Sequence, residues 1–115
     1  MSVKKKVEAL TMITYDVSLL AGTYALITAA AGLLESCIMV KFINDSDRNV
    51  TISYDGTNDH DIIRDTTEIL YNFQTNAQPT TGFAQLAKGT KVYIKAAAGG
   101  TGTFYLVGYY NAQGL

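Results

Sequence analysis

The chain has one cysteine, one histidine, one proline and no tryptophan in 115 residues. A lone cysteine, Cys37, excludes an intrachain disulfide and any zinc site built on several cysteines. Stability must then come from packing, which suits a reducing compartment or a protein assembled in one. Cys37 borders the apolar run Ile38-Met39-Val40, where a buried, inert thiol is expected. Pro79 is the only proline, and there is no Pro/Ser-rich linker, acidic tail or fixed-period repeat, so one domain is the economical reading. Charge is scarce as well: charged residues are 17% and hydrophobic ones 48%, where soluble domains usually carry about a quarter charged. That balance is the reverse of a disordered chain. It leaves much neutral surface, which suits a chain covered by neighbours. The net charge of −1 offers no clustered positive face for nucleic acid. The only basic run, Lys4-Lys5-Lys6, reads as part of a loose, solvated N-terminal arm over residues 1–10, ahead of a domain over residues 11–115. The functional alternative is an arm that touches an acidic neighbour or a phosphate backbone.

Long hydrophobic runs are missing too. Residues 19–34 are the nearest approach, but they contain two glycines and two threonines and fall short of the roughly 20 apolar residues of a membrane span. Glu8 and Asp16 separate this run from the lysines, where an export signal passes straight into its hydrophobic core. Glu35 stands where a lipoprotein signal wants a small or apolar residue. Neither export nor membrane insertion is expected.

What is present is alternation. Ile38, Val40 and Phe42 alternate with Met39, Lys41 and Ile43, which predicts a strand with one buried and one mixed face. Residues 44–49 collect turn formers, and Val50 to Tyr54 alternates again, so the pair reads as a hairpin with a polar loop. Asp55-Gly56 ends the second strand. Shorter strands are expected at Ile62-Ile63 and from Ile69 to Phe73, then an exposed loop over 74–82. Lys88-Gly89-Thr90 launches a strand over 91–95, with Val92 and Ile94 facing in, and a glycine-rich hairpin loop leads to a last strand over 103–110. In the first third, Thr11–Val17 and Thr23–Thr28 read as strands, with a helix over 25–36 as the alternative. Turn signals every 8 to 12 residues predict a single-domain antiparallel β-sandwich or jelly-roll-like barrel.

Few groups carry chemistry. Asp55, Asp59, His60 and Asp61 crowd together after Asp45 and Asp47, and hard cations seek such oxygens. Counted from Asp45, however, the sixth position is Val50 and the twelfth Gly56, not the glycine and glutamate of a calcium loop. The two acidic groups also flank the strand from Val50 to Tyr54, roughly 15 Å apart at about 3.3 Å per residue. Aspartates bonding their own backbone in turns are the simpler reading. A hydrolase using Asp59 and His60 needs a nucleophile and an orienting group nearby; a histidine closing a loop needs neither. Gly99-Gly100-Thr101-Gly102 leads into a strand and lacks the lysine and helix of a phosphate loop. No catalytic residue, metal ligand or cofactor is assigned.

Eight tyrosines remain to be explained, with Tyr105, Tyr109 and Tyr110 on or beside the last strand. Tyrosine joins an apolar body to a polar tip and suits contact surfaces. The same rings on a sheet can stack sugars, so a carbohydrate- or host-surface-binding module, using the loops at 55–61 and 74–82, is the second functional reading.

Residues 40–61, with the strand–turn–strand ending in Ser53-Tyr54-Asp55-Gly56 and followed by Asp59-His60, resemble a recurrent segment of small virion proteins of tailed bacteriophages. Lys88-Gly89-Thr90 and the aromatic strand over 102–110 are similar to the closing strands of such proteins. The resemblance spans roughly residues 38–110. It implies a β-sandwich or jelly-roll subunit, a head decoration or a head–tail or tail component, assembled in the host cytoplasm and incorporated in many copies. Its implied partners are other virion proteins, such as capsid, portal or tail proteins, and further copies of itself. It brings no catalytic residues, membrane contact or specific nucleic-acid binding.

Overall fold

Alternating apolar residues build two antiparallel sheets that bury their inner faces against each other. The computed structural model describes residues 4–73 and 86–114, with side chains over 7–73 and 86–110. Nine strands follow in order: β1 (Lys4–Ala9), β2 (Ile13–Asp16), β3 (Ala25–Leu26), β4 (Cys37–Ser46), β5 (Val50–Ser53), β6 (Asp61–Ile63), β7 (Thr67–Asn72), β8 (Tyr93–Lys95) and β9 (Gly102–Gly114). The first sheet runs β1-β9-β4-β7, with β2 also on β9, and the second runs β3-β8-β5-β6. This is a β-sandwich, as the alternation predicts. The loop expected over 74–82, with Pro79, lies outside the described residues.

The core forms where the inner faces meet. Val40 and Phe42 of β4, Val50 and Ile52 of β5, Ile94 of β8 and Phe104 and Leu106 of β9 are all buried, with Val92 just before β8. Phe42 stands at the centre, edge-on to Tyr71 at 5.9 Å and tilted against Phe104 at 6.0 Å, within the separations at which aromatic pairs add to simple burial. Leu20 and Leu33 are buried in the same cluster. The apolar stretch over 19–34 is therefore part of the sandwich. It holds β3 and irregular chain, not the alternative helix over 25–36, and it shortens the strand expected over 23–28 to Ala25–Leu26. Among the described residues, no helix is long and apolar enough to cross a membrane.

Three expectations are corrected. Residues 4–9, read as a loose arm, are strand β1, paired with β9 from Lys4↔Gly114 to Ala9↔Tyr109. The hairpin of β4 with β5 does not exist, because β4 lies in the first sheet and β5 in the second. The glycine-rich loop before β9 likewise joins β8 of the second sheet to β9 of the first, so it too is an arch between sheets. Physically, an arch and a hairpin loop ask for the same turn-forming residues; they differ in which distant strand each flank finds.

Four sheet-to-sheet crossings gather at one end: residues 17–24, 47–49, 64–66 and 96–101. Buried polar side chains join two of them, 47–49 and 64–66. Asn44 Nδ2 donates its two hydrogens to the carbonyls of Arg48 at 2.7 Å and Ile63 at 2.9 Å and lies 3.2 Å from the carbonyl of Arg64. Ser46 Oγ donates to Asn44 Oδ1 at 2.5 Å and lies 3.1 Å from the Arg48 carbonyl. The aligned bonds satisfy groups that would otherwise be costly to bury. At Gly102 the chain enters β9 with φ +115, and a Cβ there would lie 2.2 Å from the Asp45 carbonyl oxygen, so only glycine fits.

Two bulges flank β9 at one level. Between Ala9↔Tyr109 and Ile13↔Leu106 the β1–β2 edge has one residue more than β9, and between Cys37↔Tyr110 and Met39↔Tyr109 β4 has one more. The second bulge gives Cys37 the core position that simple alternation assigns to Ile38, which is buried outside the main core cluster.

Candidate interaction surface

The outer face of the first sheet is built by the residues that alternate with the core. Its cross-strand rows can be read from the register. Asp45 neighbours Thr103, which neighbours Asp16. One row on, Ile43 lies between Glu68 of β7 and Tyr105 of β9, with Thr14 beyond. In the next row Lys41 lies between Leu70 and Val107. The last row is Asn72, Met39, Tyr109 and Ala9. Met39, Ile43, Tyr105, Val107 and Tyr109 are half-buried, while Leu70 is 56% exposed.

Packing of these side chains leaves a shallow groove of about 530 Å³ over Ile43, Asp45, Glu68 and Tyr105, walled by Met12. A second hollow of about 210 Å³ lies on the other side of Met12, between Leu10–Ile13 and Leu33–Leu34. Met12 is itself 49% exposed, because the bulge between β1 and β2 turns it out of the sheet's regular alternation. Three charges border the groove: Lys41 at one side, Glu68 and Asp45 at the other. None of the three has an ion-pair partner among the described residues. Contiguous apolar surface rimmed by charge is the usual mark of a contact site.

The acidic loop after β5 has a different role. It folds back over the outer face of the second sheet, where Gly56 lies against the Tyr93 ring and Ser53 is fully buried. Asp55 accepts hydrogen bonds from the backbone N–H groups of Asn58 and Thr57, both at 2.8 Å, from Asn58 Nδ2 at 2.8 Å and from Ser53 Oγ at 2.9 Å. Led by the Asn58 and Thr57 amides, these bonds hold its carboxyl well below the usual carboxylate range. Asp61 accepts from the N–H of Ile62 at 2.8 Å. Asp55 and Asp61 are thus the backbone-bonding aspartates that the turn reading expects.

His60 closes the loop. Its Nδ1 accepts the Tyr54 N–H at 2.9 Å, its backbone N–H donates to the Ile52 carbonyl at 2.8 Å, and its ring stacks on Tyr54 at 5.5 Å. Asp59 turns elsewhere. It accepts from the Tyr24 hydroxyl and pairs with Lys95 Nζ at 3.0 Å, while Lys95 sits 4.7 Å from the centre of the Tyr24 ring. The Tyr24 bond, then Lys95, lowers the Asp59 carboxyl; desolvation and the same hydrogen bond push the Tyr24 phenol up to about 12. Asp59 and His60 therefore serve different partners. Among the described residues, no three His, Cys, Asp or Glu side chains are gathered to hold a metal ion. Asp47 belongs to the arches at the opposite end, where it accepts from Thr101, so it shares no site with Asp55.

The aromatic residues divide likewise. Tyr93 lies under the folded-back loop and Tyr24 is engaged by Lys95 and Asp59, so neither presents two open ring faces for a sugar. Tyr110 donates its hydroxyl to Glu8 at 2.9 Å, across the β1–β9 pair. Tyr105 and Tyr109 remain on the outer face with Val107 between them. The alternation of β9 announces this face in sequence; the contribution of Met12 depends on the bulge and carries no sequence signal. No protein-family model matches the chain, and no curated protein or solved structure is similar enough to count as a match.

Proposed function

We propose that the chain is a non-enzymatic structural subunit of a tailed-phage particle, a head decoration or a head–tail or tail component, that works through protein–protein contacts. The observation that carries this reading is the outer face of the first sheet: a row-ordered apolar and aromatic surface on a rigid sandwich, with the unpaired Lys41 within it and Glu68 and Asp45 towards one end. The likeness of residues 38–110 to small virion proteins supports the particle as its setting. The histidine and aspartates that sequence offers as chemistry are occupied in closing a loop and tying strands together, which leaves the contact face as the feature without a structural duty. In a symmetric particle each contact is repeated, so modest individual interfaces suffice through avidity.

The test is co-expression with the products of the neighbouring genes, followed by mass spectrometry of purified particles. The subunit is expected in a fixed ratio to the capsid or tail protein, and Val107→Lys, which sets a second unpaired cation directly across from Lys41 in the face, is expected to be folded but missing from particles. Absence of the wild-type chain from every assembled particle would overturn the reading.

A further inference from the structure

We propose that the groove over Ile43 and Tyr105 receives a basic side chain of a partner protein, with the apolar stem on the groove floor and the cationic head against Asp45 and Glu68. This rests on the reading of the outer face as a contact surface and names the chemistry of what it meets. The argument begins with the carboxylates. Asp16, Asp47, Asp55 and Asp61 each accept a backbone N–H, and Asp59 is held by Tyr24 and Lys95. Asp45 and Glu68, which both line the groove, make no such bond among the described residues, and no cation there lies within ion-pair distance of either. Register places the two close together. Ile43 pairs with Glu68, so Asp45, two residues on, is diagonal to Glu68 across the strands, a relation that spans roughly 7–8 Å. Lys41 is the diagonal neighbour on the other side of Glu68 but closes no ion pair with it. One cation against two carboxylates leaves the groove with a net negative charge, and a further cation set between the carboxylates is attracted by both.

Floor and wall decide which kind of cation fits. Ile43 and Tyr105 lie half-buried in the groove, and Met12 stands exposed at its side. A metal ion is bound through oxygen and leaves this apolar surface unused. A lysine or arginine side chain uses both parts, because its methylene stem covers apolar surface while its charged head stays in the wet, polar region, here the carboxylates with Thr66 and Thr67 beside them. Tyr105 adds an aromatic ring, which attracts a cation placed over its face. The groove holds about 530 Å³, within the roughly 300–1,000 Å³ of small-ligand sites. That is room for one long side chain with the backbone that carries it, and a shallow, open groove suits a side chain presented by another chain.

NMR titration of the isotope-labelled chain with the blocked tripeptide acetyl-Leu-Arg-Leu-amide tests this, with the same tripeptide carrying norleucine in place of arginine as the neutral control. Shifts are expected to gather at Met12, Ile43, Glu68 and Tyr105, with a millimolar affinity that falls as salt is raised. Asp45→Asn and Glu68→Gln are each expected to weaken binding about threefold, as loss of an exposed charge pair does, and the double variant about tenfold. Both positions are exposed, and an unchanged thermal midpoint for each variant checks that the fold is intact. Absence of shifts in the groove, equal binding of the norleucine peptide, or an affinity indifferent to the double variant overturns the proposal. Val107 lies outside the groove lining, which separates the two readings. If the arginine peptide does not bind and yet Val107→Lys is missing from particles, the face remains a contact surface and a basic side chain is not what it meets. If the peptide binds and Val107→Lys enters particles normally, the groove stands as a site for a basic side chain and the contact reading of the wider face falls.

Discussion

Asp47 and Thr101, 54 residues apart in sequence, hold each other by two hydrogen bonds: the Asp47 N–H donates to the Thr101 carbonyl at 3.1 Å, and the Thr101 N–H donates to Asp47 Oδ1 at 2.8 Å. The pair joins the arch between β4 and β5 to the arch between β8 and β9. The Thr101 amide, aided by Arg48, keeps the Asp47 carboxyl below its ordinary range. The sign of the linkage follows: the carboxylate contributes stability above the unfolded value of about 4, and that contribution fades as pH falls below it. Asp47→Ala is therefore expected to lower the thermal midpoint at pH 7 and to make the remaining stability less sensitive to acid between about pH 4 and pH 2. Thermal melts of the two proteins across that range measure it; parallel pH profiles would contradict it.

Asn44 has a larger stake because it is buried, at 1% exposure. Its two amide hydrogens serve the carbonyls of Arg48 and Ile63, with that of Arg64 close by, and the side-chain oxygen accepts from Ser46. Asn44→Ala leaves several of these without a partner and opens a small cavity, at a cost of roughly 2–3 kcal/mol. Asn44→Asp removes the donor while keeping the shape and adds a buried charge beside three carbonyl oxygens, so it is expected to be at least as harmful. Chemical denaturation gives both values. A loss below about 0.5 kcal/mol for either variant would show that the crossings do not depend on this amide.

The legibility of the fold follows from how local each signal is. The alternation of Val40 with Phe42, Val50 with Ile52 and Val92 with Ile94 is a property of adjacent residues, so the strands and their buried faces can be read directly. Pairing is not local. Residues 44–49 look like a hairpin loop because Asn, Asp and Ser favour any tight turn; nothing in their composition states that Asn44 will bond carbonyls some 20 residues further on. The bulge at Ile38, which brings Cys37 into the core, is a register event between β4 and β9 that alternation cannot show. At the acidic loop, the bonding of Asp55 to Thr57 and Asn58 is legible because it spans two and three residues. The engagement of Asp59 by Tyr24 and Lys95 is not, since its partners are 35 and 36 positions away.

Gly108 gives a packing prediction. Its position is buried in β9 between the two bulges, and a Cβ there would lie 2.9 Å from Cys37 Sγ and 3.1 Å from Leu10 Cδ1. Gly108→Ala overpacks this point and is expected to cost about 1–3 kcal/mol. Cys37→Ala removes the closest atom, so the double variant should be more stable than the sum of the two single losses implies. A double-mutant cycle in denaturant measures the coupling. Strict additivity would mean that the strain is relieved elsewhere, against the close approach of Cys37 to β9.

Tyr24 ties β3, β8 and the acidic loop together through one phenol, and its ionisation reports that contact. Desolvation and the hydrogen bond to Asp59 raise it from about 10 to about 12. A raised phenol contributes stability that is complete below the unfolded value of about 10 and is lost as pH climbs from there through the folded value. Tyr54 and Tyr110 are raised as well, by burial and by the bond to Glu8 respectively, so a plain alkaline titration mixes several groups. The difference between the wild type and Tyr24→Phe isolates one. Phenolate absorbance is expected to lose a single late step near pH 12 in Tyr24→Phe. The variant also frees Asp59 from the hydroxyl that chiefly lowers its pKa, so that carboxyl should move back up towards its ordinary range while keeping Lys95 as its partner. Carbonyl-carbon NMR titration of Asp59 reads this second change. If the lost step lay near pH 10 instead, or if Asp59 did not move, the Tyr24–Asp59 bond would not be the link that fastens the loop to the sheet.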